Sequence, residues 1–222
     1  MKEAYFTPKT IQETAASWKS GLHSSSRGEK SRFQKEKAAL LILDMQDYFL
    51  DSGSHAFVPS APAIIPGLNQ LSSLFKSWGQ PIIFTKHINT KKNAGMMGNW
   101  WRDLITSDHP GCSLSKDLDL SGGKIVEKTQ YDAFYRSDLK GKLDQFSVQQ
   151  LVIGGVMTHL CCETTARSGF VQGYEIFFLV DGTATYNQKF HRGAITNLSH
   201  GFSELKLVDD FLQTAEEIDG QD

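Results

Sequence analysis

The sequence has few cysteines, and none of them forms a pattern typical of a disulfide framework or a zinc site. Three cysteines occur among 222 residues, and two of them, Cys161 and Cys162, are adjacent. An odd number without a C-x-x-C pair argues against a disulfide-stapled secreted domain and against paired zinc ligands. We therefore expect a cytoplasmic protein with free thiols, and neither a metal nor another cofactor.

The sequence also lacks an excess charge and a long hydrophobic run. Its formal net charge is only -2, which gives no general attraction to nucleic acid. The residues after Met1 do not form the apolar core of a signal peptide, and no apolar run is long enough to cross a bilayer. We expect a small-molecule substrate, with neither nucleic acid nor membrane as a partner.

Apolar periodicity is weak in the first part of the chain and strong in the rest. Residues 1–37 are mostly polar, include a run of three serines at 24–26, and are predicted to form an N-terminal arm with a short helix over residues 8–19. Its aromatic residues Tyr5, Phe6 and Trp18 suggest contact with the body of the protein or with a neighbouring subunit. Residues 38–222 have a length that suits one α/β domain.

Within this domain, predicted strands alternate with predicted helices. Strands are predicted at residues 38–43, 81–87, 124–128, 151–153, 175–180 and 204–208, and the continuous apolar run AALLIL at 38–43 indicates a strand covered on both faces. Helical spacing predicts helices over residues 62–78, 139–146 and 190–202, and a further helix beginning at Cys161. The alternation predicts a three-layer α/β/α fold, Rossmann-like, with a doubly wound and mainly parallel sheet of about six strands.

Polar side chains follow several of these strands. Asp44 comes after the first, Lys128 closes the third, and Cys161 follows the fourth. The carboxyl ends of parallel strands meet at one edge of the sheet, where ligands bind. An acid, a lysine and a thiol at that edge are the groups needed for nucleophilic catalysis: a base, a cation and a nucleophile. A thiol at a helix start is also expected to have a lowered pKa.

Each of these residues also has a purely structural interpretation. Asp44 is alternatively a helix cap, Lys128 a solvated strand end, and Cys161 a small buried apolar residue. For Asp181, followed by Gly182, capping or turn formation is the favoured interpretation. Cys162 is predicted to face the core, because adjacent residues on a helix point about 100° apart.

Three sequence blocks together resemble the isochorismatase-like cysteine hydrolases. They are LLILDMQDYF with Asp44, VEKTQYDAF with Lys128 and GGVMTHLCCETTARSGF with Cys161, and the resemblance extends over residues 38–212. It implies an Asp-Lys-Cys triad with Asp44 as general base, Lys128 as charge stabiliser and Cys161 as nucleophile. It also implies a cis peptide bond between Val156 and Met157, an oxyanion hole formed by the backbone N–H groups of Met157 and Cys161, and a homo-oligomer, dimer or tetramer.

The family resemblance leaves two reactions open. True isochorismatases cleave a vinyl ether and typically have a residue other than a nucleophile at the position of Cys161. The cysteine favours hydrolysis of a non-peptide C–N bond in a small amide, carbamoyl or ureido compound, through a thioester. The alternatives are a vinyl ether hydrolase of the isochorismatase type, with Asp44 as the acid, and a non-catalytic scaffold on the same fold.

Substrate contacts are predicted in the blocks and in the irregular segment of residues 88–123, which is rich in Gly, Asn, Met and Trp. The candidate contact residues are Gln46, Phe49, His87, Trp100, Trp101, Arg102, Tyr131 and Phe134. Arg102 is expected to pair with a substrate carboxylate, and alternatively the two tryptophans and Arg102 pack at a subunit interface. Asp51, His55 and His87 lie in regions comparable to the metal ligands of nicotinamidases, but their spacing differs and we predict no metal.

Overall fold

Six strands form a single parallel sheet in the computed structural model, which describes residues 1–22 and 32–219. The strands are β1 (Ala38–Leu43), β2 (Ile82–His87), β3 (Lys124–Lys128), β4 (Gln150–Val156), β5 (Glu175–Ala184) and β6 (Ser203–Lys206). Their order is β3-β2-β1-β4-β5-β6, and each neighbouring pair is parallel. This topology confirms the predicted doubly wound α/β fold.

Helices and short helical turns connect the strands. The α-helices are α1 (Ile11–Ser20), α2 (Asp47–Leu50), α3 (Ala61–Ser77), α4 (Met97–Trp100), α5 (Leu139–Asp144), α6 (Glu163–Val171), α7 (Gln188–Gly201) and α8 (Val208–Asp219). A 3₁₀ turn (Lys35–Lys37) precedes β1, and a π-helical turn (Thr158–Cys162) precedes α6. The helix predicted to begin at Cys161 therefore contains this cysteine in its irregular first turn.

The order of the strands reverses direction between β1 and β4. From β1 the chain moves outward to β2 and β3, whereas from β4 it moves outward the other way to β5 and β6. Because such crossovers are right-handed, α3 and the pair α6 and α7 cover opposite faces of the sheet. The carboxyl ends of β1 and β4 thus flank the switch point, where open α/β sheets bind their ligands.

A close approach of two backbones fixes the geometry at the switch point. Leu43 pairs with Gly155 in the sheet. Gly155 has a φ of 108°, and a Cβ atom there would lie 2.1 Å from the carbonyl oxygen of Leu43. Only glycine is compatible with this contact and this φ. The glycine therefore lets β4 approach the end of β1, directly before Asp44.

The N-terminal residues pack on the domain. Phe6 is 1% exposed and belongs to the same hydrophobic core as the strands. Its ring lies 5.2 Å from that of Trp18, which belongs to α1, and 5.4 Å from that of His191 on α7. The aromatic residues of the predicted arm thus contact the body of the protein. The serine run of that arm lies outside the described residues.

The end of the chain differs from the prediction in two respects. Strand β5 extends to Ala184, beyond the predicted end at residue 180. Helix α8 was not predicted. Asp181 lies within β5, and its Oδ1 accepts a hydrogen bond of 2.9 Å from the backbone N–H of Val208, the first residue of α8. Asp181 therefore caps the distant helix α8, while the alternative of a turn with Gly182 is wrong because both residues continue β5.

Candidate active site

The carboxyl ends of β1, β3 and β4 bring Asp44, Lys128 and Cys161 together. Asp44 directly follows β1, Lys128 is the last residue of β3, and Cys161 lies in the π-helical turn after β4. The Oδ2 atom of Asp44 lies 2.7 Å from Nζ of Lys128, and the Sγ atom of Cys161 lies 3.4 Å from the same nitrogen. The three residues predicted from the sequence are thus in contact around the ammonium group of Lys128.

Asp44 is oriented by two neighbouring side chains, Thr85 and Lys128. Its φ of 51° lies in the left-handed region, which aspartate tolerates better than most residues. Its Oδ1 accepts a hydrogen bond of 2.6 Å from Oγ1 of Thr85 on β2, and its backbone N–H donates to the same hydroxyl at 3.1 Å. The carboxylate is therefore oriented by Thr85 on one oxygen and by Lys128 on the other.

Lys128 is fully buried, which is costly for an ammonium group unless it is paired. Its Nζ donates to the backbone oxygen of Gln130 at 2.8 Å in addition to its contacts with Asp44 and Cys161. Burial lowers the pKa of Lys128, but the neighbouring Asp44 and Cys161 raise that pKa more strongly, so the net shift is upward. The lysine is therefore an ammonium ion at neutral pH.

Cys161 is 5% exposed and borders a pocket with aromatic walls beside the sheet edge. Burial raises the pKa of the Cys161 thiol to about 12, while Lys128 acts in the opposite direction and Asp44 adds to the increase. The predicted lowering of the Cys161 pKa is thus wrong, because desolvation of the thiolate outweighs both the lysine and the helix terminus. The resting group is a thiol, and it needs a base for attack.

The turn that carries the thiol begins with an unusual backbone geometry. The peptide bond between Val156 and Met157 is cis, and Met157 lines the pocket next to Cys161. Cys162 faces away from the pocket and is fully buried in the core, as predicted. The side chain of Cys161 is thereby the thiol that the turn presents to the pocket.

His87 is held in one tautomer beside Lys128. The amide nitrogen of Asn89 donates to the backbone oxygen of Thr129 at 2.9 Å, so its Oδ1 faces Nε2 of His87 at 2.7 Å. Nε2 therefore carries the proton, and Nδ1 lies 3.4 Å from Nζ of Lys128 as an acceptor. Burial and the charge of Lys128 lower the pKa of His87 to about 4, so the imidazole is neutral at physiological pH.

A pocket of about 270 Å³ opens above the thiol. Its wall is mostly apolar and aromatic, with a few polar groups, and most of it comes from α2, the irregular segment of residues 88–123 and the loops after β3 and β5. The lining residues are Tyr48, Phe49, His55, Ala56, His87, Asn89, Met97, Trp101, Arg102, Asp103, Leu104, Ile105, Tyr131, Met157, Cys161 and Tyr186. The size fits a small molecule rather than a polypeptide.

Five of the eight predicted substrate contacts line this pocket, and three lie elsewhere. Phe49, His87, Trp101, Arg102 and Tyr131 are in the wall. Trp100 is 78% exposed on the outside, and Phe134 stacks on Tyr174. The buried amide of Gln46 accepts from the backbone N–H of His87 at 2.7 Å and donates to the backbone oxygen of Cys112 at 2.8 Å. Gln46 therefore braces the loops around the pocket.

Several pocket residues were not identified from the sequence. Tyr48 and Asp103 are hydrogen bonded to each other through the tyrosine hydroxyl, and Tyr186 follows the unpredicted extension of β5. Tyr48 lies inside the block LLILDMQDYF, close to Asp44, and this position could have indicated a place in the pocket wall. Asp103 and Tyr186 lie in irregular segments, where no periodicity indicates which side chains face inward.

The described residues do not form a metal site at Asp51, His55 and His87, the residues considered as possible ligands. Among them, no group of three or more His, Cys, Asp or Glu side chains is arranged to hold a metal ion. His55 contacts the hydroxyl of Tyr48 and the carboxylate of Asp103, each at 3.3 Å. Asp51 instead accepts a hydrogen bond from the backbone N–H of Gly53. The three residues considered as ligands thus have separate partners.

Within the described residues, none of the helices is long and apolar enough to span a membrane.

Comparison with known proteins supplies the family. The isochorismatase domain model matches residues 38–210. The chain is 33% identical over 173 residues to nicotinamidase 3 of Arabidopsis thaliana, covering 76% of this chain and 83% of that protein. It is 28% identical to enterobactin synthase component B of Escherichia coli, covering 81% of this chain but 64% of that protein.

Two further comparisons agree. The chain is 27% identical to ureidoacrylate amidohydrolase of Serratia proteamaculans, covering 85% of this chain and 86% of that protein. The crystal structure of a cysteine hydrolase from Pseudomonas syringae pv. phaseolicola superposes with a TM-score of 0.81 at 21% identity, covering 87% of this chain and 99% of that one, and shows the same fold. With the domain match over most of its length, the chain belongs to the isochorismatase family of hydrolases.

Proposed function

We propose that the protein is a cysteine hydrolase that cleaves a non-peptide C–N bond in a small amide, carbamoyl or ureido compound. The observation that carries this proposal is the contact of Asp44, Lys128 and Cys161 at the bottom of a small aromatic pocket. A thiol, a carboxylate and an ammonium ion in contact are the groups that acyl transfer through a thioester requires. The similarity to an amidohydrolase and a nicotinamidase supports the same reaction class.

In the first half-reaction, the sulfur of Cys161 attacks the carbonyl carbon of the substrate. Asp44 accepts the thiol proton, and Lys128, paired with both groups, stabilises the negative charge as it moves between them. We assign stabilisation of the oxyanion to the backbone N–H groups of Met157 and Cys161. When the C–N bond breaks, Asp44 returns the proton to the leaving nitrogen, and a thioester remains on Cys161.

In the second half-reaction, water hydrolyses the thioester. Asp44 removes a proton from the attacking water, the C–S bond breaks, and the proton returns to the sulfur. Because the pKa of Cys161 is raised, the released sulfur holds this proton and the resting thiol is restored. The apolar wall limits the number of water molecules near the thioester, which suits a reaction that must admit one of them at a time.

A vinyl ether hydrolase of the isochorismatase type is the competing reaction, with Asp44 as the acid that protonates carbon. The similarity to enterobactin synthase component B gives this alternative its support. The two reactions make opposite demands on Cys161, since protonation of a vinyl ether does not need a thiol. The homo-oligomeric state and the cytoplasmic location stay predictions.

The test is the effect of Cys161→Ala on two kinds of substrate. Small primary amides and N-carbamoyl amino acids are screened by ammonia release, and isochorismate is screened by pyruvate release. We expect amide or carbamoyl hydrolysis by the wild type and a loss of at least about a thousandfold in kcat for Cys161→Ala, because the covalent route is removed. Denaturation of the wild type with the substrate should also trap an acyl adduct on the Cys161 peptide, detectable by mass spectrometry.

The matched control is Cys112→Ala, which removes another buried thiol that contacts the backbone oxygen of Ser107. This variant should retain wild-type kcat. If Cys161→Ala hydrolyses the amide as fast as the wild type, the nucleophile assignment is wrong. Pyruvate release from isochorismate by both the wild type and Cys161→Ala would establish the competing reaction instead.

A further inference from the structure

The N-terminal residues run along the rim of the candidate active site and are fixed there by backbone hydrogen bonds. The N–H of Glu3 donates to the backbone oxygen of Tyr186 at 2.8 Å, and the side-chain amide of Asn187 donates to the backbone oxygen of Met1 at 3.2 Å. Further along, the hydroxyl of Tyr5 accepts from the backbone N–H of Thr185 at 2.8 Å. Residues on both sides of Lys2 are therefore held against the loop after β5.

Lys2 contacts two residues of the pocket wall. Its Nζ lies 4.5 Å from the centre of the Tyr186 ring and donates a hydrogen bond to the backbone oxygen of His55. Tyr186 and His55 both line the pocket that contains Cys161. The ammonium group is thus placed at the mouth of the pocket by contacts with two of its wall residues.

Lys2, Arg102, Asp103 and Glu3 lie near this mouth, so its formal charge is balanced, but the two cations form no ion pair with a described residue. The acidic residue in the wall, Asp103, is already occupied by the hydroxyl of Tyr48 and by His55. The nearby carboxylate of Glu3 accepts from the backbone N–H of Gln188 at 2.6 Å.

At the bottom of the pocket the cation is paired, unlike the two cations at the mouth. The ammonium group of Lys128 is paired with Asp44, so the pair adds little net charge where the C–N bond would be cleaved. A molecule with a neutral amide or carbamoyl group at one end and an anionic group at the other matches both ends of the pocket.

We propose that Lys2 is a specificity-determining residue that selects substrates carrying a carboxylate at the end remote from the scissile C–N bond. The inference rests on the proposed function for the scissile end, and on the contacts of Lys2 for the other end. Lysine presents a compact point charge that retains its hydration, which suits an exposed rim better than a buried contact. Its carbonyl partner at His55 leaves two of the three N–H donors for an incoming anion.

Two alkylating reagents test the selection without requiring turnover. Iodoacetate and iodoacetamide deliver the same reacting carbon and differ mainly in charge. The second-order rate of labelling of Cys161 is measured for each by mass spectrometry of the Cys161 peptide at pH 8. We expect the ratio of the iodoacetate rate to the iodoacetamide rate to fall about fivefold in Lys2→Met, because one positive charge is removed from the entrance. The difference should shrink in high salt.

Two variants serve as controls. Lys2→Arg retains the charge and should retain the wild-type ratio. Lys9→Met removes a charge from an exposed lysine in the same N-terminal segment and should also leave the ratio unchanged. In steady-state assays, Lys2→Met should raise KM for 3-carbamoylbenzoate relative to the uncharged 3-nitrobenzamide, with kcat changed little.

The possible outcomes separate the two proposals. An unchanged labelling ratio in Lys2→Met overturns the role of Lys2 and leaves the proposed hydrolase intact. If neither reagent labels Cys161, whose raised pKa leaves little thiolate at pH 8, the steady-state assays decide: an unchanged KM ratio in Lys2→Met overturns the role of Lys2, and the absence of amide hydrolysis by the wild type overturns the proposed function and this inference with it. An equal fall in Lys9→Met and Lys2→Met would show a general charge effect and would also reject a specific role for Lys2.

Discussion

At the scale of single residues, the candidate site depends on a buried ion pair that the surrounding backbone makes tolerable. Lys128 and Asp44 have side chains with no exposure to solvent, and transfer of either charge alone into the interior would cost several kcal/mol. Each receives further compensation, Lys128 from the carbonyl oxygen of Gln130 and Asp44 from the hydroxyl of Thr85. Either charge would therefore destabilise the folded protein if its partner were absent.

Removal of one member should destabilise the protein strongly. We expect Lys128→Met to lower the free energy of unfolding by about 3 to 5 kcal/mol, because the Asp44 carboxylate remains buried without its cation. The double variant Asp44→Asn/Lys128→Met should recover a large part of that loss, although both variants should be inactive in amide hydrolysis. Chemical denaturation at pH 7 measures the four corners of this cycle.

The matched control for this cycle is an exposed pair of the same residue types. Lys140 and Asp144 lie 2.9 Å apart on α5, with side chains 57% and 58% exposed. Lys140→Met should lower the free energy of unfolding far less than Lys128→Met does, since solvent screens the exposed pair. Equal losses for Lys128→Met and Lys140→Met would mean that burial does not determine the worth of the Asp44–Lys128 pair.

At the scale of secondary-structure elements, the contact between β5 and α8 contains the carboxylate of Asp181, whose pKa is strongly raised. Burial raises the pKa of Asp181 from 3.8 to about 6, and its hydrogen bond from the N–H of Val208 only partly offsets this effect. Because the folded pKa lies above the unfolded value, the folded protein binds the proton more tightly. Stability contributed by this group is present at low pH and is lost as the pH rises through about 6.

Asp181→Asn should therefore stabilise the protein at neutral pH. The amide oxygen can still accept from the N–H of Val208, while the cost of a buried charge is removed. We expect the variant to exceed the wild type by up to about 3 kcal/mol in unfolding free energy at pH 7.5, and the difference to disappear near pH 4. Urea denaturation of both proteins between pH 4 and pH 8 measures this, and a difference that does not vary with pH would contradict it.

At the scale of the whole molecule, the N-terminal residues belong to the packed structure and reach the candidate site. The Phe6 side chain lies among the aromatic rings of Tyr5, Trp18 and His191, and Lys19 of α1 forms an ion pair with Asp210 of α8. His191 in turn lies 3.5 Å from the hydroxyl of Thr158 in the turn that carries the thiol. The N-terminal segment is thus connected through His191 to the turn that carries Cys161.

Phe6→Ala should destabilise the whole protein and not only its N-terminus. We expect a loss of about 3 to 5 kcal/mol in unfolding free energy, in one cooperative transition, because a fully buried ring leaves a cavity. Phe170→Ala is the control: this ring is 50% exposed on α6 and should cost less than about 1 kcal/mol. If Phe6→Ala unfolds at the same denaturant midpoint as the wild type, the N-terminal segment is a detached arm.

The sequence by itself determined the sheet, the family and the three residues at its edge. A continuous apolar run such as residues 38–43 favours a covered strand, and polar residues directly after parallel strands lie at one edge of the sheet. The signals that identify Asp44, Lys128 and Cys161 are therefore local in sequence, and their meeting follows from topology alone.

Only the tertiary structure decided the environment of these residues and the wall of the pocket. The prediction of a lowered Cys161 pKa was wrong because local position gives the helix terminus but not the depth of burial, and desolvation is the larger effect. Asp103, Tyr186 and Lys2 come from distant segments, and their contacts depend on how irregular loops fold over the sheet edge. Loops carry no periodicity, so the side chains that face a ligand are fixed only when the whole chain has packed.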